Sequence, residues 1–233
     1  MNTHKGTAIV VGVLFIAATG MYMLGGGFLD PVLTAPDYLI NVSANENQVL
    51  TGMLIEFVSQ LAVICIPFMM FPILKKRNEA LALGYVVFRI VESVTLVVGS
   101  ISLLLLLPLS REFVGAVAPD ASHFLTLGTL LLEARDWTVL LGVNIVFPLG
   151  ALIFNYLLFR SRLVPRVLSV WGLVGAALLL PRALLMIFGP NPVVILTLPI
   201  WVQEMAFAVW LIVKGFNPSA IASESAPVDM DSV

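Results

Sequence analysis

Charge is scarce in this chain. Only 11% of its 233 residues are Asp, Glu, Lys or Arg, against about 25% in a soluble domain. That excludes an ordinary water-exposed globular surface. No basic patch interleaved with aromatics is present, and the formal net charge is −2. Nothing therefore recommends a nucleic acid as partner. The single cysteine, Cys65, excludes an intramolecular disulfide; in its apolar run it reads as a packing residue. The two histidines, His4 and His123, are too few and too near the chain end and loops for a bis-histidine haem or a histidine-rich metal centre. No cofactor or metal is expected. The G-x-S-x-G and H-E-x-x-H signatures are missing. Gly25, Gly26 and Gly27 lack the Lys-Ser/Thr of a phosphate loop and read as a flexible exit from an apolar segment.

What is abundant is apolar side chain, 60% of the residues, with a mean hydropathy of +1.04. Several runs reach the ~20 residues that cross a hydrocarbon core. An all-α, polytopic membrane bundle follows, with spans expected at 7–28, 48–74, 80–107, 141–159, 167–188 and 196–213. The first run exceeds the 7–15 residues of a signal-peptide core and reads as a retained helix. Lys5, Lys75, Lys76, Arg77, Arg160, Arg162, Arg166 and Lys214 fall on one side of this arrangement. By the positive-inside rule that side is cytoplasmic, with both termini there. Segment 123–140 is apolar enough for a seventh span, but counting it would export Arg160, Arg162 and Arg166. It is expected instead as an interfacial or re-entrant helix on the outer side, with Trp137 at headgroup level. Residues 1–215 form one transmembrane domain in this reading, and 216–233 a flexible polar tail.

Against that apolar background a few charges stand out. A charge at the centre of a spanning helix costs roughly 3 kcal/mol on insertion scales, so such residues tie helices together or mark a functional site. Glu56, Arg89, Glu92, Arg182 and Glu204 are of this kind. At 1.5 Å per residue, Glu56 and Glu204 lie about 12 Å below the outer surface, and Glu92 and Arg182 about 20 Å above the inner one. All four then share a layer slightly outward of the midplane. Gln60 lies one turn from Glu56, Gln203 adjoins Glu204, and Arg135 and Asp136 on the outer helix are placed to cap the layer. Five membrane-located acids (Glu56, Glu92, Glu133, Asp136 and Glu204) face three arginines (Arg89, Arg135 and Arg182). One-to-one pairing is therefore excluded: an acid is protonated, a cation is bound, or an acid reaches water. A purely structural alternative pairs Arg89 with Glu92, Arg182 with Glu204, and Arg135 with Asp136.

The segments SANENQV at 43–49, ALGYVVFRIVE at 82–92, EARDW at 133–137, SRLVPRVLSVWGLVGA at 161–176 and QEMAFAVWLIVKGFNPSA at 203–220 resemble the bacterial membrane proteins of the domain-of-unknown-function 4386 family. The resemblance implies an integral protein of a bacterial inner membrane. It places family motifs on Arg89 and Glu92, on Arg135 and Asp136, and on Gln203 and Glu204, and it brings no activity with it. The expectation is therefore a protein that binds or translocates a small polar or cationic solute, or protons, at the charged layer. Its rivals are an intramembrane enzyme using Asp136 or Glu92 as a general acid on a lipid or isoprenoid, and a non-catalytic accessory or sensor subunit.

Overall fold

The computed structural model describes residues 3–115, 121–189 and 194–223. Among these there is no strand, and the chain is a succession of helices: α1 (Thr3–Leu33), α2 (Tyr38–Ala44), α3 (Glu46–Leu74), α4 (Glu79–Gly115), α5 (Ala121–Val139), a π-helical segment (Leu140–Val146), α6 (Phe147–Ser161), α7 (Arg166–Phe188), a 3-10 turn (Val194–Thr197), α8 (Leu198–Val213) and α9 (Pro218–Ser223). Six stretches are long and apolar enough to cross a membrane, which makes this a multi-pass membrane protein. Their outward apolar side chains, such as Leu54 and Val94, stay more than half exposed. That is stable against lipid tails and not against water.

Local signals explain where helices start and stop. The Asn78 side chain accepts a hydrogen bond from the Leu81 N–H at 2.9 Å, capping α4 after the basic turn. Pro199 occupies the first turn of α8, where a missing N–H is harmless. Gly215, at φ 75°, takes the left-handed position that ends α8. Pro67, Pro72, Pro108 and Pro181 lie within helices, which membrane segments tolerate.

Three expectations are sharpened or corrected. The segment at 123–140 is helical and is not a separate seventh span; it runs through the π segment into α6, forming a 40-residue helix from Ser122 to Ser161. Val139 and Phe147, which flank the π segment, both keep right-handed helical angles, so nothing breaks the rod. The stretch between the first two expected spans is mostly helix: α1 continues through the three glycines to Leu33, and α2 follows within a few residues. Leu39 and Val42, three apart, are buried beneath it. Cys65 is exposed, because Ala62, Val63 and Ile66 take the buried face of that turn.

The described residues divide into two compact units. The first comprises Met1–Ile16, Cys65–Phe88 and Pro148–Val233, the second Ala17–Ile64 and Arg89–Phe147. The first unit is centred on aromatic rings from four helices. Phe15 meets Phe207 edge-on at 5.2 Å, Tyr85 stacks on Phe154 at 4.7 Å, and Phe154 meets Phe207 at 5.6 Å. Phe216 is buried in this unit, and the Asn217 N–H donates to the Leu163 carbonyl at 2.8 Å. The expected tail therefore has its first residues folded, while 224–233 lie outside the described residues. The second unit has an aliphatic core of Leu29, Val32, Leu39, Val42, Val49, Leu103, Leu106 and Leu107. A forked ion pair between Arg111 and Glu46 and a hydrogen bond from Gln48 to the Phe28 carbonyl pin its helix ends.

Candidate functional site

The charges expected in one layer are built into different surroundings. Within the second unit, Glu56 on α3 meets Arg135 on α5. The guanidinium donates to both carboxylate oxygens, at 2.8 Å and 3.3 Å, a fork that suits arginine better than any other side chain. The two side chains are only 7% and 12% exposed, so this is a buried pair. It also replaces the expected local pairing of Arg135 with Asp136. Adjacent residues on a helix diverge by about 100°, so one of the two must look away from α3.

Glycine makes the pair reachable. A methyl group on Gly25 would lie 2.6 Å from Glu56 Cγ, and one on Gly52 would lie 2.8 Å from Leu29 Cγ. The backbones of α1 and α3 therefore touch at this crossing, and the Glu56 side chain lies across α1. The glycine triplet read as a flexible exit thus includes a packing contact. Gly99 performs the same service on α4, where a side chain would strike the Thr138 hydroxyl at 2.2 Å. Thr138 in turn donates to the Arg135 carbonyl at 2.7 Å.

Further groups surround this pair. The Tyr22 hydroxyl on α1 lies in the field of Glu56, Arg135, Asp30 and Asp136. Asp30 acts on both Glu56 and Asp136, and Asp136 also feels Arg135 and Glu133. Arg135 thus acts on both Glu56 and Asp136, and Asp30 lies in the field of the same two acids. Asp30 and Asp136 are exposed, whereas Glu56 is buried. Tyr22 and Asp30 were not among the residues anticipated from sequence, because Asp30 reads as loop when Pro31 follows it. In the structure Pro31 lies inside α1.

A second pair lies in the same unit. Arg89 Nη1 is 3.0 Å from Glu92 Oε2, three residues along α4, with side-chain exposures of 4% and 7%. The Arg89 guanidinium also lies 5.2 Å from the centre of the Phe147 ring. This is the local tie that the structural alternative foresaw. The π segment contributes to it. Twelve residues separate Arg135 from Phe147, which leaves an ideal α-helix about 120° out of phase. The wider π turn accommodates one extra residue and returns about 100° of that. One rod can then offer Arg135 to α3 and Phe147 to α4. Gln60, one turn beyond Glu56, is buried; its backbone carbonyl accepts from Ser93 at 3.4 Å, while its Oε1 has no hydrogen-bond partner among the described residues.

The remaining expected residues belong to the first unit. Gln203 on α8 donates to the Leu168 carbonyl at 3.1 Å and to Asn155 Oδ1 at 3.4 Å. Asn155 fills the space beside Gly172, where a methyl group would stand 2.1 Å from its Oδ1. This is a polar tie across α6, α7 and α8. Arg182 on α7 and Glu204 on α8 are half-buried in that unit. Among the described residues no three of His, Cys, Asp and Glu come together as a metal-ligand group.

Residues 10–215 match the family model described as "Domain of unknown function (DUF4386)". The chain belongs to that family. No curated protein and no solved structure matches it. The buried fork of Glu56 and Arg135 has the exposed Asp30 and Asp136 in its field.

Proposed function

We propose that this protein binds a small cationic solute at the acidic cluster of Asp30, Glu56 and Asp136, with Tyr22 at its side. One observation carries the reading: Arg135 is already forked onto Glu56, while Asp136 and Asp30 lie in the field of the same pair. Two negative charges are left over beside apolar helices. A cation entering there gains Coulomb energy that bulk water would largely screen. Spread over separate helices, these carboxylates suit a hydrogen-bonding organic cation or a proton better than a chelated metal. The Glu56–Arg135 fork holds α3 and α5 together and fixes the geometry of the cluster. The ion pair of Arg89 and Glu92 is local to α4 and belongs to the scaffold.

The side on which the cluster opens follows from the basic residues. Lys5, Lys75, Lys76, Arg77, Arg160, Arg162, Arg166 and Lys214 lie at alternate ends of successive spans. That supports an inner-membrane protein with both termini in the cytoplasm and the cluster toward the outside.

The test is a thermal-shift titration of the purified protein with methylammonium, guanidinium and tetramethylammonium. Asp30→Asn and Asp136→Asn serve as charge-neutral variants, since neither residue holds a buried ion pair. A saturable rise in Tm for the wild type that is lost in both variants supports the reading. No rise with any cation, or an equal rise in the variants, refutes it.

A further inference from the structure

A second feature lies in the first unit, away from the acidic cluster in sequence and in charge. The turn between α6 and α7 and the end of α8 line an open cavity of about 460 Å³, within the ~300–1,000 Å³ typical of ligand pockets. Its lining carries Arg162, Arg166 and Lys214, and none of its lining residues is acidic. None of these three cations forms a salt bridge among the described residues. The Arg166 guanidinium carbon lies 5.0 Å from the centre of the Phe159 ring, a cation–π contact that orients its charged head. The N-terminus of α7 opens on the same space without a side-chain cap, since its capping residue is Pro165. Its dipole adds to the positive field. The walls are fixed: Asn217 ties the end of α8 to Leu163 through its N–H, and its side-chain amide donates to the Arg162 carbonyl at 3.4 Å.

The surroundings say what kind of anion fits. Trp210 lines the cavity, an indole of the sort that sits at the membrane interface. Directly beside Arg166 and Lys214 are Val167 and Val213, 76% and 65% exposed. The apolar surface continues along Val170 and Val174 on α7 and Val209 on α8, all exposed. A cationic cup at the ends of two exposed valine stripes matches a molecule with an anionic head and apolar tails. We propose that this cavity holds the phosphate of an anionic glycerophospholipid, with Arg162, Arg166 and Lys214 as its ligands and the acyl chains along the valines of α7 and α8.

Native mass spectrometry of the full-length protein, titrated with phosphatidylglycerol or phosphatidylcholine, tests this. Phosphatidylglycerol should be retained at least ten-fold more tightly than phosphatidylcholine. Arg166→Gln and Lys214→Gln should each weaken it about five-fold, and together on the order of 25-fold, the effect of one and two basic groups near an anionic surface. Lys214→Arg should keep wild-type retention. Equal retention of the two lipids, or a folded double variant that binds like wild type, overturns the proposal. Complete displacement of the lipid by millimolar inorganic phosphate would also overturn it, by making the site one for a free anion. If the double variant loses its helical circular dichroism, Lys214→Gln alone decides, because Lys214 is exposed at the helix end.

Discussion

Replacing Arg135 by leucine leaves Glu56 buried without its counter-charge. The cost follows from the geometry. The pair is forked at 2.8 Å and 3.3 Å, and its side chains are 12% and 7% exposed, so it belongs with buried ion pairs. Breaking one of these by removing a single partner costs about 3–5 kcal/mol, whereas replacing both partners with apolar groups is often near neutral. Arg135→Leu and Glu56→Leu should therefore each destabilise by about 3 kcal/mol, and the double variant by much less than their sum. At about 2–4 °C per kcal/mol for a chain of this size, each single variant should melt about 6–12 °C lower. The assay is thermal unfolding of purified protein followed by tryptophan fluorescence, analysed as a double-mutant cycle. A coupling energy of at least about 2 kcal/mol is expected. If the two single effects add to within about 0.5 kcal/mol, the fork contributes nothing and the geometry of the cluster is wrong.

Other predictions concern close helix approaches and topology. Gly25→Ala should lower Tm by several degrees, an overpacking cost of about 1–3 kcal/mol, because its methyl group meets Glu56 at 2.6 Å. Gly27→Ala, with nothing within 4 Å, should be neutral or raise Tm slightly through helix propensity; equal effects at both positions would refute the crossing. Gly172→Ala should destabilise by a similar 1–3 kcal/mol, and adding Asn155→Ala should recover much of the loss, read in the same melting assay. With Cys65 replaced by serine, single cysteines at His123 and Arg160 should label from opposite sides of the membrane. The 40-residue helix joining them is about 60 Å long, and labelling from one side alone would contradict it.

Run length and hydropathy made the six spans readable from sequence, since each stretch needs only enough consecutive apolar residues to satisfy its backbone within lipid. Boundaries were less readable. α1 continues past Phe28 because glycines and Pro31 are tolerated in a helix packed against neighbours, and propensity alone ends it early. Glu56, Arg89, Glu92 and Arg135 could be recognised because a charge in an apolar run is conspicuous. Their partners could not: Glu56 pairs with Arg135 across 79 residues of sequence, through a crossing set by Gly25 and Gly52. Small residues at matching depth on two spans were the available signal. Tyr22 and Asp30 escaped notice because a tyrosine in a span is ordinary and an aspartate before proline looks like a loop. The π segment has no sequence mark at all, since its register is imposed by what Arg135 and Phe147 both touch.

In the proposed reading the surplus carboxylates of the second unit hold a small organic cation. Isothermal titration of the purified protein with the cation giving the largest thermal shift, alongside a neutral molecule of the same shape, tests it most directly. One cation should bind per chain, the neutral analogue should not bind, and Asp30→Asn and Asp136→Asn should each weaken affinity at least ten-fold, about 1.4 kcal/mol. Binding of the neutral analogue with equal affinity, or undiminished cation binding in the variant lacking both aspartates, would contradict it.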